Sequence, residues 1–154
     1  MKYKILMIIS LVVFVSGVSS QNALVNGINA NKTERTGSDG NTYSEFSAAE
    51  TGNCSFEFST QKYIDYVMDY SIVYEKYTWN WKDITYMSLG ENMLELSADG
   101  SKIVLNSKDK ETEVTTPSNE RFVTLYFNSQ DEAKSAALWI VDRVKTCGGN
   151  LLYK

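Results

Sequence analysis

The chain of 154 residues contains no histidine and a single proline. Without histidine, catalytic triads of the Ser-His-Asp or Cys-His type and the usual zinc sites are excluded. The glycines of "GSDG" and "TCGG" do not follow a strand and open a helix, as phosphate-binding loops do. Asp65 and Asp69 lie about 13 Å apart along a strand, too far for paired-carboxylate catalysis. We therefore expect no cofactor, no metal and no enzymatic activity.

Basic residues are also few, with 15 Lys and Arg against 19 Asp and Glu and a formal net charge of −4. Removal of an N-terminal segment that carries Lys2 and Lys4 leaves 13 basic residues and a formal charge of −6. A mildly acidic chain lacks the positive surface that binds nucleic acid or anionic membranes. Both classes of partner are therefore excluded from the functions we expect.

Long apolar runs are absent except at the N-terminus, where Ile5–Val15 follows Lys2 and Lys4. This run is too short to span a bilayer, which requires about 20 residues. Small residues with Val18 and Ser20 come next, so the pattern predicts a signal peptide over residues 1–20, cleaved after Ser20. The mature protein is then secreted or periplasmic, without membrane insertion; a retained membrane anchor is the alternative.

Two cysteines, Cys54 and Cys147, are present in a chain predicted to reach an oxidising compartment. An even pair in that setting predicts a disulfide bond. A redox or nucleophilic role is the alternative, but neither cysteine lies in a C-x-x-C motif and no histidine could activate a thiol.

Residues 21–53 are rich in Asn, Thr, Ser and Gly and offer few apolar anchors, which predicts a flexible polar leader. Within this segment "SDGN" (38–41) lacks the alternating acidic ligands of a calcium loop, which indicates a plain turn. From Cys54 onward the hydrophobic period becomes two, as in Phe56 and Phe58, which is typical of β-strands.

The remaining pattern predicts further strands and one helix. Residues 63–76 are interpreted as one long or bent strand, with a helix as the competing interpretation, and 108–120 as a solvated loop. Asp99-Gly100 predicts a hairpin turn between two apolar strands. Ser129 and Glu132 form a capping box that starts a helix, which Gly148-Gly149 ends. The core-facing stripe of this helix is predicted to contain Ala133, Ala136, Ala137, Ile140, Val141 and Val144.

The order of these elements, with "WNWKDITYMSLGENMLEL", "RFVTLYF" and "VKTCGG", resembles small exported bacterial proteins with a pleckstrin-homology-like (PH-like) domain. The resemblance covers 54–149 and leaves 150–154 as a tail. It implies an α+β fold, an antiparallel β-sandwich or partly open barrel capped by one C-terminal helix, on a scaffold that often binds peptides or proteins. The clustered basic residues of phosphoinositide-binding members are missing, since Lys62 is the single basic residue in 55–74.

Aromatic residues are the one enriched feature, and a candidate binding face contains Tyr66, Tyr70, Tyr74, Trp79 and Trp81. The alternative interpretation places these rings in the core and at its rim, because they bury a large apolar body and keep a polar tip in water. The sequence thus predicts an exported, non-enzymatic module that binds an unidentified protein or peptide. A carbohydrate- or lipid-binding protein that uses the aromatic face or the barrel interior is the alternative.

Overall fold

A computed structural model describes residues 23–66 and 69–153, and the predicted signal peptide lies outside them. The described residues form an α+β fold with two β-sheets and a C-terminal helix, as the sequence predicts. The helices are α1, over residues 23–30, and α2, Gln130–Thr146, and a short 3₁₀ turn covers Trp81–Asp83. The strands are β1 Arg35–Thr36, β2 Thr42–Glu50, β3 Ser55–Tyr66, β4 Asp69–Asn80, β5 Ile84–Leu89, β6 Met93–Ala98, β7 Ile103–Asp109, β8 Thr115–Glu120, β9 Phe122–Tyr126 and β10 Leu152–Tyr153.

The strands are divided between a six-stranded and a four-stranded sheet. The larger sheet has the order β1-β2-β3-β4-β7-β8 and is antiparallel throughout. The smaller sheet has the order β10-β5-β6-β9, in which only β10 runs parallel to its neighbour. Apolar residues from both sheets share one buried cluster, so the molecule is a sandwich with a common core.

Helix α2 closes one end of this sandwich. The Ser129 side chain accepts a hydrogen bond from the Glu132 backbone N–H (3.2 Å), and the Glu132 carboxylate accepts one from the Asn128 N–H (3.0 Å). The first bond is the N-cap contact of the predicted capping box, and in the second the glutamate reaches back to the residue just before the N-cap. Gly148, with φ +79°, ends the helix in the left-handed conformation that glycine favours. The predicted boundaries of α2 are therefore confirmed.

The inner face of α2 follows the predicted stripe with one addition. Ala133, Ala136, Ile140 and Val144 are fully buried, while Ala137 and Val141 are partly buried beside the core. Trp139, which the prediction omitted, is also buried. The helix packs against β5, β6 and the 3₁₀ turn, so it covers part of the four-stranded sheet and the turn that follows β4.

The predicted disulfide is confirmed: Cys54 and Cys147 are bonded, and their Cα atoms lie 5.8 Å apart. The bond ties the C-terminal end of α2 to the start of β3. The Arg143 guanidinium reinforces this junction, since it donates to the Glu50 carboxylate (2.9 Å) and to the Asn53 carbonyl (3.0 Å). A disulfide bond indicates an oxidising environment. Among the described residues, no helix has the length and apolar character needed to cross a membrane.

The prediction of a flexible leader is wrong for the described part of 21–53. This segment contains α1, β1 and β2, and the Leu24 and Ile28 side chains of α1 are fully buried. The Asn29 side chain accepts from the Ala48 N–H (2.7 Å) and donates to its carbonyl (3.3 Å), which satisfies backbone groups of β2. Burial of a few apolar residues thus orders a segment whose composition alone favours disorder.

The prediction for 63–76 also requires correction, because this segment is neither one strand nor a helix. It is divided between β3 and β4, which pair with Tyr66 opposite Asp69. The expected separation of about 13 Å between Asp65 and Asp69 along one strand is therefore wrong: they lie on adjacent strands, at positions that face opposite sides of the sheet. Phe58 and Tyr77 lie opposite each other in this pairing and both face the core, with ring centroids 5.9 Å apart, although their positions have opposite parity. Along one uninterrupted strand, residues of opposite parity would face opposite sides of the sheet.

The hairpin predicted at Asp99-Gly100 does not form a paired ladder. Gly100 and Ser101 have the positive φ angles of a tight turn (+68° and +53°), but β6 pairs with β5 and β9, whereas β7 pairs with β4 and β8. The turn therefore carries the chain from one sheet to the other. The two strands bury their apolar faces across the core instead of side by side.

Two segments predicted to lack regular structure form strands at the edges. The solvated loop predicted over 108–120 contains β8, whose residues are mostly exposed and include Pro117. An edge strand tolerates proline because one side of its backbone has no partner. The predicted tail contains β10, which pairs with β5.

Candidate functional site

The structure does not bring the five residues of the predicted aromatic face together. Trp79 and Trp81 are 3% and 0% exposed, and their rings meet edge to face with centroids 5.5 Å apart. Trp81 also contacts Trp139 of α2 at 5.5 Å, and Phe56 contacts both Trp79 and Trp81. The two tryptophans therefore anchor the sheet to its capping helix, and the interpretation of these rings as an exposed face is wrong.

The three tyrosines of the predicted face are exposed but do not share a surface. Tyr70, at 63% exposed, lies opposite Asp65 in the β3–β4 ladder, while Tyr66 lies opposite Asp69. Since directly opposite residues share a face and neighbours alternate, Tyr70 and Tyr74 project from one side of the sheet and Tyr66 from the other. No single aromatic platform results from these residues.

Polar side chains gather instead at the end of the sandwich away from α2. The Lys62 ammonium lies 2.9 Å from the Asp39 carboxylate and 3.6 Å from the Glu75 carboxylate. The Tyr43 hydroxyl donates to Asp39 (2.8 Å), and the Tyr77 hydroxyl donates to Glu75 (2.7 Å). Glu75 is only 6% exposed. We call this set of five residues the open-end network.

The network is positioned by strands that also build the core. Along β3, Phe56 and Phe58 are followed on the same face by Thr60 and Lys62, and Glu75 lies opposite Thr60. At about 3.3 Å per residue, Lys62 lies about 20 Å beyond Phe56. Asp39 comes from the turn between β1 and β2, so the network closes only when that turn folds over β3.

Burial and mutual contacts shift the ionisation of the network in consistent directions. Burial alone would raise the pKa of Asp39, but hydrogen bonds from Asn41, Lys62 and Tyr43 outweigh it and hold this pKa well below its usual value. Burial would lower the pKa of Lys62, yet its hydrogen bond to Asp39 and its contacts with Tyr43 and Glu75 raise it. The ion pair is therefore charged across the physiological range.

The tyrosines of the network are held neutral. Burial, with the acceptor Asp39, raises the pKa of Tyr43, and burial beside the charge of Glu75 raises that of Tyr77. Each hydroxyl is thus a hydrogen-bond donor, and its bond to the carboxylate fixes the orientation of the tyrosine ring. This arrangement holds groups in place without an activated nucleophile.

A cleft of about 360 Å³ opens beside this network, lined by the β1–β2 turn, strands β2, β3 and β4, the end of β8 and strand β9. Its floor contains the buried side chains of Phe58 and Val123, and its walls contain Tyr43, Tyr77 and Tyr126. The rim carries two carboxylates, Asp39 and Glu120, together with the exposed ring of Phe122. Its volume falls within the range of small-molecule sites, about 300–1,000 Å³.

Sequence reasoning missed this site for an identifiable reason. A single strand over 63–76 would place Glu75 on the same face as Asp65 and Asp69, whereas the antiparallel pairing of β3 with β4 places it on the inner face opposite Thr60. Lys62 stands out in the sequence only as an isolated basic residue. The usable signal was its even parity with Phe56 and Phe58, which places a cation on a core-facing row.

The described residues contain no group of three or more Cys, Asp, Glu or His that could hold a metal ion. The "SDGN" segment forms a turn, in which Gly40 N–H donates to the Gly37 carbonyl (3.0 Å) and Asp39 accepts from Asn41 N–H (3.1 Å). Comparisons with protein-family models, curated proteins and solved structures found no match for this chain.

Proposed function

We propose that the protein is an exported, non-enzymatic binding module with a PH-like domain, and that its ligand occupies the cleft at the open end. The observation that carries this proposal is the combination of an apolar floor, Phe58 and Val123, with a rim of fixed polar groups in one cavity of about 360 Å³. Concave sites of mostly apolar lining with a few oriented polar groups are the usual form of ligand sites.

Preorganisation of the rim favours binding over a purely structural role for the cavity. The Asp39 carboxylate is held by Lys62 and Tyr43, and the Tyr77 hydroxyl is held by Glu75. A ligand that enters the cleft therefore does not have to order these side chains, which lowers the entropic cost of association.

Export is supported by the Cys54–Cys147 bond and by the apolar run that precedes residue 21. The bond forms and persists in secreted and periplasmic compartments. We infer that the ligand, a peptide, a partner protein or a free small molecule, is encountered outside the cytoplasm.

A carbohydrate- or lipid-binding function on the aromatic face remains the alternative. Trp79 and Trp81 cannot contribute to it because both are buried, but Tyr70 and Tyr74 stay exposed on the outer face of the six-stranded sheet. The two candidate functions thus use different surfaces, and single substitutions separate them.

The experiment is an NMR screen of a small-molecule fragment library, which includes sugars and short peptides, against the disulfide-bonded protein. We expect binders to shift the amide resonances of Tyr43, Val123 and Thr124, and we expect Phe122→Ala to weaken them at least about fivefold by removing part of the aromatic rim. Tyr70→Ala is the matched control, because it removes an aromatic ring of comparable exposure (63% against 53% for Phe122) that lies outside the cleft.

Loss of binding in Tyr70→Ala but not in Phe122→Ala would mean that the ligand binds the outer face of the six-stranded sheet and not the cleft. A screen in which no fragment shifts a cleft resonance contradicts the proposal. Chemical turnover of any bound fragment would contradict its non-enzymatic part.

A further inference from the structure

The charges around the cleft differ in how far they are already paired. Three carboxylates, Asp39, Glu75 and Glu120, lie on the cleft or in the network beside it. Of the cations nearby, Lys62 is shared between Asp39 and Glu75, and Arg35, opposite Tyr43, donates to the Phe127 carbonyl (2.8 Å). Arg121 lies over the Phe122 ring, 5.7 Å from its centroid.

The three carboxylates differ in how many further hydrogen bonds they can accept. Asp39 accepts hydrogen bonds from Asn41, Tyr43 and Lys62, and Glu75 accepts from Tyr77 and pairs with Lys62. Glu120 accepts only from the Ser118 hydroxyl (2.8 Å, at Oε1), and it has no ion pair among the residues that the structure describes. Its second carboxylate oxygen is the acceptor that the rim offers to a ligand.

The rings beside the cleft already accept cations within the protein. The Lys62 ammonium lies 5.4 Å from the centroid of the Tyr43 ring, and Arg121 occupies a face of Phe122. A cation over an aromatic face is attracted to its negative quadrupole, most strongly where water is partly excluded. These contacts show that the electrostatics of the rim suit positive groups.

We propose that the cleft binds an organic cation on an apolar stem, namely an alkylammonium or guanidinium group such as a lysine or arginine side chain presents. The stem packs on Phe58 and Val123, the cationic head lies against the aromatic rim, and Glu120 accepts its N–H bond. This assignment rests on the proposed function, because it names the ligand chemistry of the same cleft.

The test compares three probes of similar size by NMR titration: the N-acetyl methylamides of lysine, norleucine and glutamate. Norleucine keeps the apolar stem without the charge, and glutamate reverses it. We expect the lysine probe to shift the cleft resonances and to bind at least about tenfold more tightly than the norleucine probe, with an advantage that falls at about 1 M salt. The glutamate probe should not bind.

Glu120→Gln keeps the shape and the bond from Ser118 but removes the charge, so we expect about tenfold weaker binding of the lysine probe and little change for norleucine. Glu91→Gln, at an exposed carboxylate in the turn between β5 and β6, is the matched control and should behave as the wild type. Circular dichroism of each variant checks that the fold is intact.

Equal affinity for the lysine and norleucine probes, or wild-type affinity in Glu120→Gln, overturns the assignment of a cationic ligand while leaving a binding cleft. Tighter binding of the glutamate probe overturns it as well. If no probe and no fragment shifts the cleft resonances, the proposed function itself fails, and the two failures are thereby distinguished.

Discussion

At the helix-capped end of the sandwich, three tryptophan rings and a disulfide bond meet, whereas at the open end, about 20 Å along β3, two carboxylates meet one lysine. Trp79 and Trp81 bury their rings almost completely, and α2 covers them through Trp139. At the other end Lys62, Asp39 and Glu75 are joined by hydrogen bonds and ion pairs beside a cleft.

The two ends differ in how their stabilisation responds to conditions. Apolar burial is non-directional and roughly proportional to the area removed from water, so it depends little on pH or salt. Ion pairs near the surface contribute little net free energy and respond to both variables. The helix-capped end therefore stabilises the fold through apolar burial, while the open end keeps polar groups that contribute little to stability.

The largest effect should follow removal of the disulfide. The bond joins residues separated by 93 positions, so the chain-entropy model gives about 4–5 kcal/mol of stabilisation. We expect the Cys54→Ser, Cys147→Ser double variant to lose an amount of that order in the free energy of unfolding, measured by urea denaturation. The wild type under reducing conditions should match the variant, and the variant should not respond to reductant. Equal stability of the oxidised and reduced wild type would contradict the role of the bond.

The second effect concerns the tryptophan cluster. Trp81→Ala should reduce the free energy of unfolding by about 3–5 kcal/mol, because it removes a fully buried ring between β4 and α2 and leaves a cavity. The matched control at the open end is Phe122→Ala, whose ring is 53% exposed, and we expect a loss below about 1 kcal/mol. Similar losses from both variants would break the contrast between the two ends.

The third effect is a pH dependence that belongs to the open end. The folded-state pKa of Asp39 is lowered below its unfolded value of about 3.9, so its contribution is present above about pH 4 and is lost as the pH falls further. We expect Asp39→Asn to be about 1 kcal/mol less stable than the wild type at pH 7, because the side chain is 39% exposed and screened.

The difference between the wild type and Asp39→Asn should shrink between about pH 4 and pH 2, as followed by thermal unfolding across the pH range. Lys62→Met supplies a control, since it removes the cation that stabilises the Asp39 carboxylate and should flatten the same acid limb. A difference that stays constant with pH would show that the ionised form of Asp39 is not what the network stabilises.

The smallest effect is expected on the outer face of the larger sheet. Tyr70→Ala should change the free energy of unfolding by less than about 0.5 kcal/mol, since 63% of this residue is exposed. A denaturation midpoint close to that of the wild type is the expected measurement. A loss of 2 kcal/mol or more, about the cost of emptying a buried site, would mean that this face is covered in solution.

Local signals in the sequence predicted the elements that depend on neighbouring residues. Ser129 and Glu132 marked the start of α2, and the alternation of Phe56 and Phe58 marked the inner face of β3, all as the structure has them. The two cysteines predicted their own bond because they are the whole cysteine content of the chain. These inferences succeed since capping and alternation act over only a few residues.

Predictions failed where partners distant in sequence decide the structure. The α1 segment contains Asn26, Gly27 and Asn29, which are weak helix formers, yet burial of Leu24 and Ile28 holds it in place. The same holds for β6 and β7. The Asp99-Gly100 turn between them favours a hairpin, but packing in the common core places β6 in one sheet and β7 in the other. In each case tertiary packing outweighs a local preference of about 1 kcal/mol.

The fold class, the disulfide bond and the helix that closes one end follow from the amino-acid sequence alone. The contact between the polar groups at the other end depends on the folded chain, since Asp39, Lys62 and Glu75 come from three separate segments. The antiparallel pairing of β3 with β4, with Tyr66 opposite Asp69, makes the odd-numbered residues of 69–80 face inward, whereas the even-numbered residues of β3 do so. That reversal brings Glu75 inward beside Lys62 and turns Tyr70 outward into water.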